Sequence, residues 1–202
     1  MNKNVFREYD IRGIVENDFK DDFVICLGKA FGTYLQNNNH SNISVSGDIR
    51  FTTNKLKKLL TKGLIEVGIN VYDLGILPTP VNYFSLFNTS VVNSVQITGS
   101  HNPKEYNGFK LSFNKKPFYG NQIKELYSII LNNSYYNTKL KGKISEIKII
   151  DDYINFIKKD IKIKKNIKCI MDCGNSVGSI VAPKLFNDLG IENEELFCDV
   201  NP

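Results

Sequence analysis

Apolar residues fall at helical spacing through Phe23, Leu27, Ala30, Phe31, Tyr34 and Leu35, which predicts an amphipathic helix. Gly28 and Gly32 lie four apart on it, a pattern suited to close packing on a sheet. The polar run from Asn37 to Asn42 ends the helix, and Ile43 to Ser46 reads as a short strand. Gly47-Asp48-Ile49-Arg50 then turns toward Thr53, the expected N-cap of a second helix. Leu56, Leu59, Leu60, Leu64 and Val67 form its buried stripe, and Gly68 closes it. A strand follows from about Ile69 to Leu74. Two prolines in Leu77-Pro78-Thr79-Pro80 argue against regular helix or central strand there.

Val91 to Ile97 reads as the next strand, residues 98–108 as a loop, and Phe109 to Phe113 as a returning strand. Ile123, Leu126, Tyr127 and Ile130 mark a third helix. Alternation of strand and helix predicts an α/β fold. The stretch from Asn132 to Lys143 is polar and suits an exposed connection. A helix is expected over Asp151 to Asp160. Ile167 to Asp172 then restarts the rhythm as strand, turn at Cys173-Gly174-Asn175, and helix to about Leu189, ended by Gly190. The expected division is one domain over residues 1–150, followed at 151–202 by a linker helix and the incomplete start of a second.

Composition narrows the classes. A hydrophobic fraction of 42% over 202 residues can fill a core. No run of about 18 apolar residues occurs, and Met1 to Asp10 lacks the apolar stretch of a secretory signal, so membrane spanning and export are not expected and cytoplasm is. Cys26, Cys169, Cys173 and Cys198 are scattered, without C-x-x-C spacing, and read as reduced thiols. His40 and His101 stand apart from them, which speaks against zinc. The net charge of +5 raises nucleic-acid binding. Yet Lys158 to Lys168 interleaves isoleucines at 161, 163 and 167, the pattern of a helix end running into a strand with solvated lysines. No nucleic-acid or membrane partner is expected. A positive field does suit a small anionic substrate such as a sugar phosphate.

The chemically informative stretch is Thr98-Gly99-Ser100-His101-Asn102-Pro103, leading to Tyr106-Asn107-Gly108-Phe109-Lys110. A strand delivers the loop, Gly99 lets backbone approach a ligand, and Ser100 is offered at a strand end, where α/β folds place ligands. Asn107-Gly108 signals a turn that returns the chain as a strand, so that Lys110 could point back at the loop. A hydroxyl beside a histidine, with a lysine returning, suits phosphoryl chemistry. A hydrolase triad fits less well, because the adjacent His101 would have to serve. Spacing alone leaves an ordinary Asn-Pro and Asn-Gly loop open as well.

T-G-S-H-N-P followed by Y-N-G-F-K resembles the phosphoserine loop of bacterial phosphomannomutase/phosphoglucomutase enzymes, in the α-D-phosphohexomutase superfamily. Related phosphoglucosamine mutases typically read S-A-S-H-N-P, so Thr98-Gly99 favours the mannose/glucose branch. Phe6-Arg7-Glu8-Tyr9-Asp10-Ile11-Arg12-Gly13 resembles the family's opening motif, Gly75-Ile76-Leu77-Pro78-Thr79-Pro80 its T-P turn, and Asp172-Cys173-Gly174-Asn175 the start of its second domain. The resemblance implies a mixed β-sheet flanked by helices, plus the beginning of a second similar α/β domain. It implies interconversion of hexose 1-phosphate and 6-phosphate through a phosphoserine and a hexose 1,6-bisphosphate, which also acts as activator.

By the same resemblance, Ser100 would carry the phosphoryl group and give Mg2+ one oxygen ligand. Tyr9 and Arg12 match residues close to that group and the substrate. His101 and Lys110 match residues proposed for proton transfer or charge stabilisation, with Lys110 also at the substrate. Ser46-Gly47-Asp48-Ile49-Arg50 departs from the family's G-R-D-G-R, keeping Asp48 and Arg50, and is expected to be structural support. The family's Asp-rich Mg2+ loop has no counterpart here, nor do its later sugar-recognition and phosphate-binding segments. The expectation is therefore an N-terminal fragment, inactive by itself. A non-catalytic sugar-phosphate-binding module, or one piece of a split mutase, is the alternative.

Overall fold

The computed structural model describes residues 2–201. In chain order the elements are β1 (Ile11–Ile14), α1 (Val15–Asp18), α2 (Asp21–Asn37), β2 (Asn42–Gly47), α3 (Thr53–Glu66), β3 (Asn70–Ile76), α4 (Thr79–Asn88), β4 (Ser94–Ile97) and β5 (Tyr106–Phe113). There follow β6 (Lys116–Pro117), α5 (Asn121–Leu131), β7 (Ile144–Glu146), α6 (Ile150–Asp160), β8 (Lys168–Asp172), α7 (Ala182–Asp188) and β9 (Glu192–Leu196).

The main sheet runs β1-β5-β4-β2-β3-β7, with β6 paired to β5. β4, β2, β3 and β7 are parallel, whereas β5 is antiparallel to both β4 and β1. The fold is thus a mixed α/β sheet flanked by helices. Side chains alternate across the sheet. Ile43, Val45, Val95, Ile97, Phe109 and Leu111 take one face and join Leu27, Phe31, Leu60, Leu64 and Leu126 of α2, α3 and α5 in the main core.

The opposite face is polar, and α4 covers part of it with matching polar groups. Asn82 donates to the Ser46 hydroxyl at 2.6 Å, Ser46 donates to Gln96 at 2.6 Å, and Ser94 donates to Asn82 at 2.8 Å. All four residues are fully buried. Because each is paired, burial does not incur the penalty of about 1–3 kcal/mol for an unsatisfied polar group.

Several sequence expectations need correction. The Pro78–Pro80 segment does begin a helix: Pro80 lies in the first turn of α4, where the helix needs no N–H donor, and Pro78 precedes it. Thr53 is not the N-cap of α3. It lies inside the helix, fully buried, and its hydroxyl donates to Asp48 at 2.7 Å. Asn107-Gly108 is not a turn but part of β5, because Asn107 Nδ2 donates to Thr52 and Thr53 hydroxyls at 3.0 Å each. Gly28 packs on a helix rather than a sheet: a Cβ there would overlap the Leu60 carbonyl of α3, as one on Gly63 would overlap that of Ile25 in α2. β1 and β7 had no periodic signal, and β7 adds a strand within 132–150.

Beyond β7, Ile149 and Ile154 of the α6 segment pack with Val181 onto Leu74, Leu77 and Val81 in a second, smaller core. β8 and β9 form a separate parallel pair. The helix expected up to Leu189 is shorter, since Val177–Ile180 is a 3-10 turn before α7. In the lysine-rich stretch Lys162, Lys164, Lys165 and Lys168 are exposed, whereas Lys158 is half-buried and pairs with Asp188 at 2.9 Å.

Candidate active site

β4 ends at Ile97, and the chain returns as β5 from Tyr106. Between them the backbone would have no partner of its own in the sheet, so other elements must satisfy it. Asp48, at the end of β2, does so first. Its Oδ2 accepts the Thr98 hydroxyl at 2.8 Å and the Gly99 N–H at 3.2 Å, while Oδ1 accepts from Arg50 N–H and Thr53 Oγ1. The Thr98 hydroxyl in turn accepts the Ser100 N–H at 2.9 Å.

Arg50 completes the frame. Its Nη1 donates to the carbonyls of Pro103 at 2.7 Å and Tyr106 at 3.0 Å, and its Nη2 to those of Ser100 at 3.0 Å and Asn102 at 2.6 Å. Nε lies 3.4 Å from Asp48 Oδ2. One guanidinium therefore gathers four loop carbonyls while anchored on a carboxylate, a task its planar fork of donors suits and a lysine's does not.

Held this way, Ser100 takes a left-handed φ of +54°. A non-glycine residue reaches that region at a cost of about 1–3 kcal/mol and persists there only when its surroundings impose it. Ser100 and His101 are both exposed, and the Ser100 hydroxyl lies 3.3 Å from His101 Nδ1. Among the described residues His101 has no carboxylate partner, so the third member of a hydrolase triad is missing.

The two predicted cations share the sheet's polar face. Arg12 stands directly across from Gly108, and Lys110 follows two residues along β5, opposite Gln96. The Gly108 backbone is closely packed here: a Cβ would lie 2.7 Å from the Ile11 carbonyl and 3.3 Å from that of Thr98. Arg12 pairs through Nη2 with Asp10, leaving its buried Nε without an acceptor. Lys110 is half-buried and, among the described residues, has no carboxylate partner. Tyr9 is 74% exposed, hence no core residue, and stacks on Tyr119 with ring centroids 6.1 Å apart.

The structure thus puts Ser100 beside His101, and Arg12 on one face with Lys110. Sequence reading treated Asp48 and Arg50 only as general support; a strand ending in Asp-x-Arg was the available signal for their grip on the loop. Tyr119 gave no signal. Among the described residues no group of three or more His, Cys, Asp or Glu side chains is placed to hold a metal ion, and Asp48 is already engaged by four donors. These residues do not by themselves fit Mg2+. No helix among them is long and apolar enough to cross a membrane.

Fold and site define a three-layer α/β/α domain that holds out a serine on a clamped strand-to-strand loop. Residues 3–137 match the family model for phosphoglucomutase/phosphomannomutase, alpha/beta/alpha domain I. The chain belongs to the phosphoglucomutase/phosphomannomutase family. It is 37% identical over 197 residues to a phosphomannomutase/phosphoglucomutase of Pseudomonas syringae pv. tomato, covering 98% of this chain and 42% of that protein. It is 36% identical over 199 residues to a phosphoglucomutase of Neisseria meningitidis, with 98% and 43% covered. A solved phosphoglucomutase/phosphomannomutase family protein from Burkholderia thailandensis superposes with a TM-score of 0.93 at 33% identity, over 100% of this chain and 45% of that one. The chain thus spans less than half the length of these relatives.

Proposed function

We propose that this chain supplies the phosphoryl-carrying part of a phosphohexomutase acting on mannose or glucose phosphates, with Ser100 as the carrier. The carrying observation is the exposed Ser100 hydroxyl on a loop clamped by Arg50, at the edge of a sheet face that presents Arg12 and Lys110. Residues 1–150 form the first domain in this reading, and 151–202 the linker helix and start of a second.

In the proposed reaction, the bond between phosphorus and Ser100 Oγ breaks as a hydroxyl oxygen of a hexose 1- or 6-phosphate bonds to that phosphorus. The hydroxyl proton leaves to a base, and the product is a hexose 1,6-bisphosphate. Its other phosphoryl group then returns to Ser100, leaving the isomeric monophosphate. Arg12 and Lys110, on the same polar face of the sheet, supply charge-assisted donors to the transferred group. His101, whose Nδ1 lies 3.3 Å from Ser100 Oγ, would hold the proton of the free serine. Tyr9 offers its exposed ring to the sugar. The Mg2+ that the family resemblance implies would draw its protein ligands from outside these residues.

The test is mutase turnover of an enzyme completed with the remaining domains, together with intact mass after incubation with glucose 1,6-bisphosphate. Ser100→Ala is expected to abolish most turnover and the added phosphate. Near-normal turnover in Ser100→Ala overturns the assignment.

A further inference from the structure

Two of the four cysteines lie at the carboxyl end of the second sheet. β8 and β9 run parallel with Asp172 opposite Leu196, so Cys173 and Cys198 follow the same ends of neighbouring strands. The Cys173 N–H donates to the Leu196 carbonyl at 3.1 Å. The Cys198 Sγ lies 3.3 Å from that same carbonyl and 3.8 Å from the Met171 carbonyl, so it sits over both strand ends.

The loops that carry these cysteines are themselves joined. Asn175 N–H donates to the Phe197 carbonyl at 2.6 Å, and Asn201 N–H to the Asn175 carbonyl at 3.1 Å. Gly174, Asn175 and Phe197 all adopt left-handed φ, between 49° and 53°, which folds both loops back over the sheet end. Cys173 follows Asp172 by one residue and Cys198 follows Leu196 by two, so the pair lies one step out of register on adjacent strand ends; strands about 4.8 Å apart keep such neighbours near the Cα separations of about 4.4–6.8 Å that a disulfide spans. Both thiols are half-buried and unbridged. The other two lie elsewhere: Cys26 packs against the main core from α2, and Cys169 sits inside β8.

We propose that Cys173 and Cys198 form a reversible dithiol–disulfide site, oxidised by a peroxide or a small-molecule disulfide. With hydrogen peroxide, one thiolate attacks a peroxide oxygen, the O–O bond breaks, and a sulfenic acid and hydroxide form. The second thiol then attacks that sulfur, its proton passing to the departing hydroxyl as water. In sum, two thiols and one peroxide give one disulfide and two waters, and a small dithiol reverses the step. Reduced hydration, then the neighbouring Cys173 thiol, push the Cys198 pKa up, which casts Cys198 as the resolving sulfur. The bond would pin the Cys173–Asn175 turn to the segment after β9.

The test uses the whole chain, treated with a small excess of hydrogen peroxide, alkylated and weighed intact. Expected is a species that takes up two alkyl groups fewer than the untreated chain and regains them after dithiothreitol. Trypsin leaves Cys169 and Cys173 on one peptide, so fragmentation of the joined peptides places the bond. Cys173→Ser and Cys198→Ser should each abolish the bridge, while Cys26→Ser and Cys169→Ser retain it. In urea the preference for this pair should vanish. Four alkylatable thiols after oxidation, a bridge through Cys26 or Cys169, only intermolecular bridging, or an undiminished preference for Cys173–Cys198 in urea would each overturn the proposal.

Discussion

Arg50 lies so close to Gly99 that a Cβ on Gly99 would overlap the guanidinium carbon and Nε. The residue before Ser100 is a glycine for lack of room, since the guanidinium that organises the loop already occupies the space.

Gly99→Ala is accordingly expected to push Arg50 off its carbonyls. Overpacking of this kind destabilises by about 1–3 kcal/mol. Hydrogen–deuterium exchange checks it: amides of residues 98–106 should lose protection while those of α2 and α3 keep theirs. Unchanged protection at Ser100 would contradict the close approach.

Arg50→Lys keeps the charge but cannot reach four carbonyls and Asp48 at once. Hydrogen bonds to charged groups contribute about 1.5–3 kcal/mol each at most, and water replaces part of that at this partly exposed loop. The expected outcome is a small fall in melting temperature with large loss of loop protection. In the completed enzyme it should also lower turnover more than it raises KM.

Gly63→Ala sets two effects against each other. Alanine favours a helix by about 1 kcal/mol over glycine. Against this, the new Cβ would overlap the Ile25 carbonyl and press on Lys29 N, both backbone atoms that cannot swing aside. Urea denaturation should show net destabilisation of about 1–3 kcal/mol. A stabilised variant would mean that α2 and α3 are further apart.

Glu66 titrates below its ordinary value of 4.5, mainly because Lys29 Nζ donates to it at 2.7 Å, with Lys62 and Lys141 adding attraction and burial opposing. A depressed carboxylate contributes stability above its unfolded pKa and loses it as pH falls through the folded value. That contribution should fade as pH falls below 4.5 and through the lowered folded value. The pair is partly exposed, so its size should be well under about 1 kcal/mol. Carboxyl carbon NMR is the check: Lys29→Ala should move the Glu66 midpoint up, and added salt should narrow the difference.

Much of the architecture was legible because the long helices advertise their buried stripes: Leu56, Leu60 and Leu64 repeat at helical spacing and are all buried in α3. β1 and β7 were not, since four and three residues hold too few alternations to rise above chance, and their strand character comes from β5 and β3 beside them. Pro80 misled because the same ring that breaks a helix interior is tolerated in its first turn. Asn107-Gly108 misled because a local turn preference lost to buried bonds with Thr52 and Thr53. At the candidate site, Ser100 could be picked out from its own loop. Its clamp could not, because Arg50 and the carbonyls it holds stand 50 to 56 residues apart.

That separation ties the loop to the order in which the chain assembles. Residues 48–53 reach their places only when β2 has docked against β4, so the left-handed kink at Ser100 cannot form as an isolated hairpin end. A half-assembled chain would therefore carry this hydroxyl on slack backbone, and Ser100 would acquire its aim among the last events of folding.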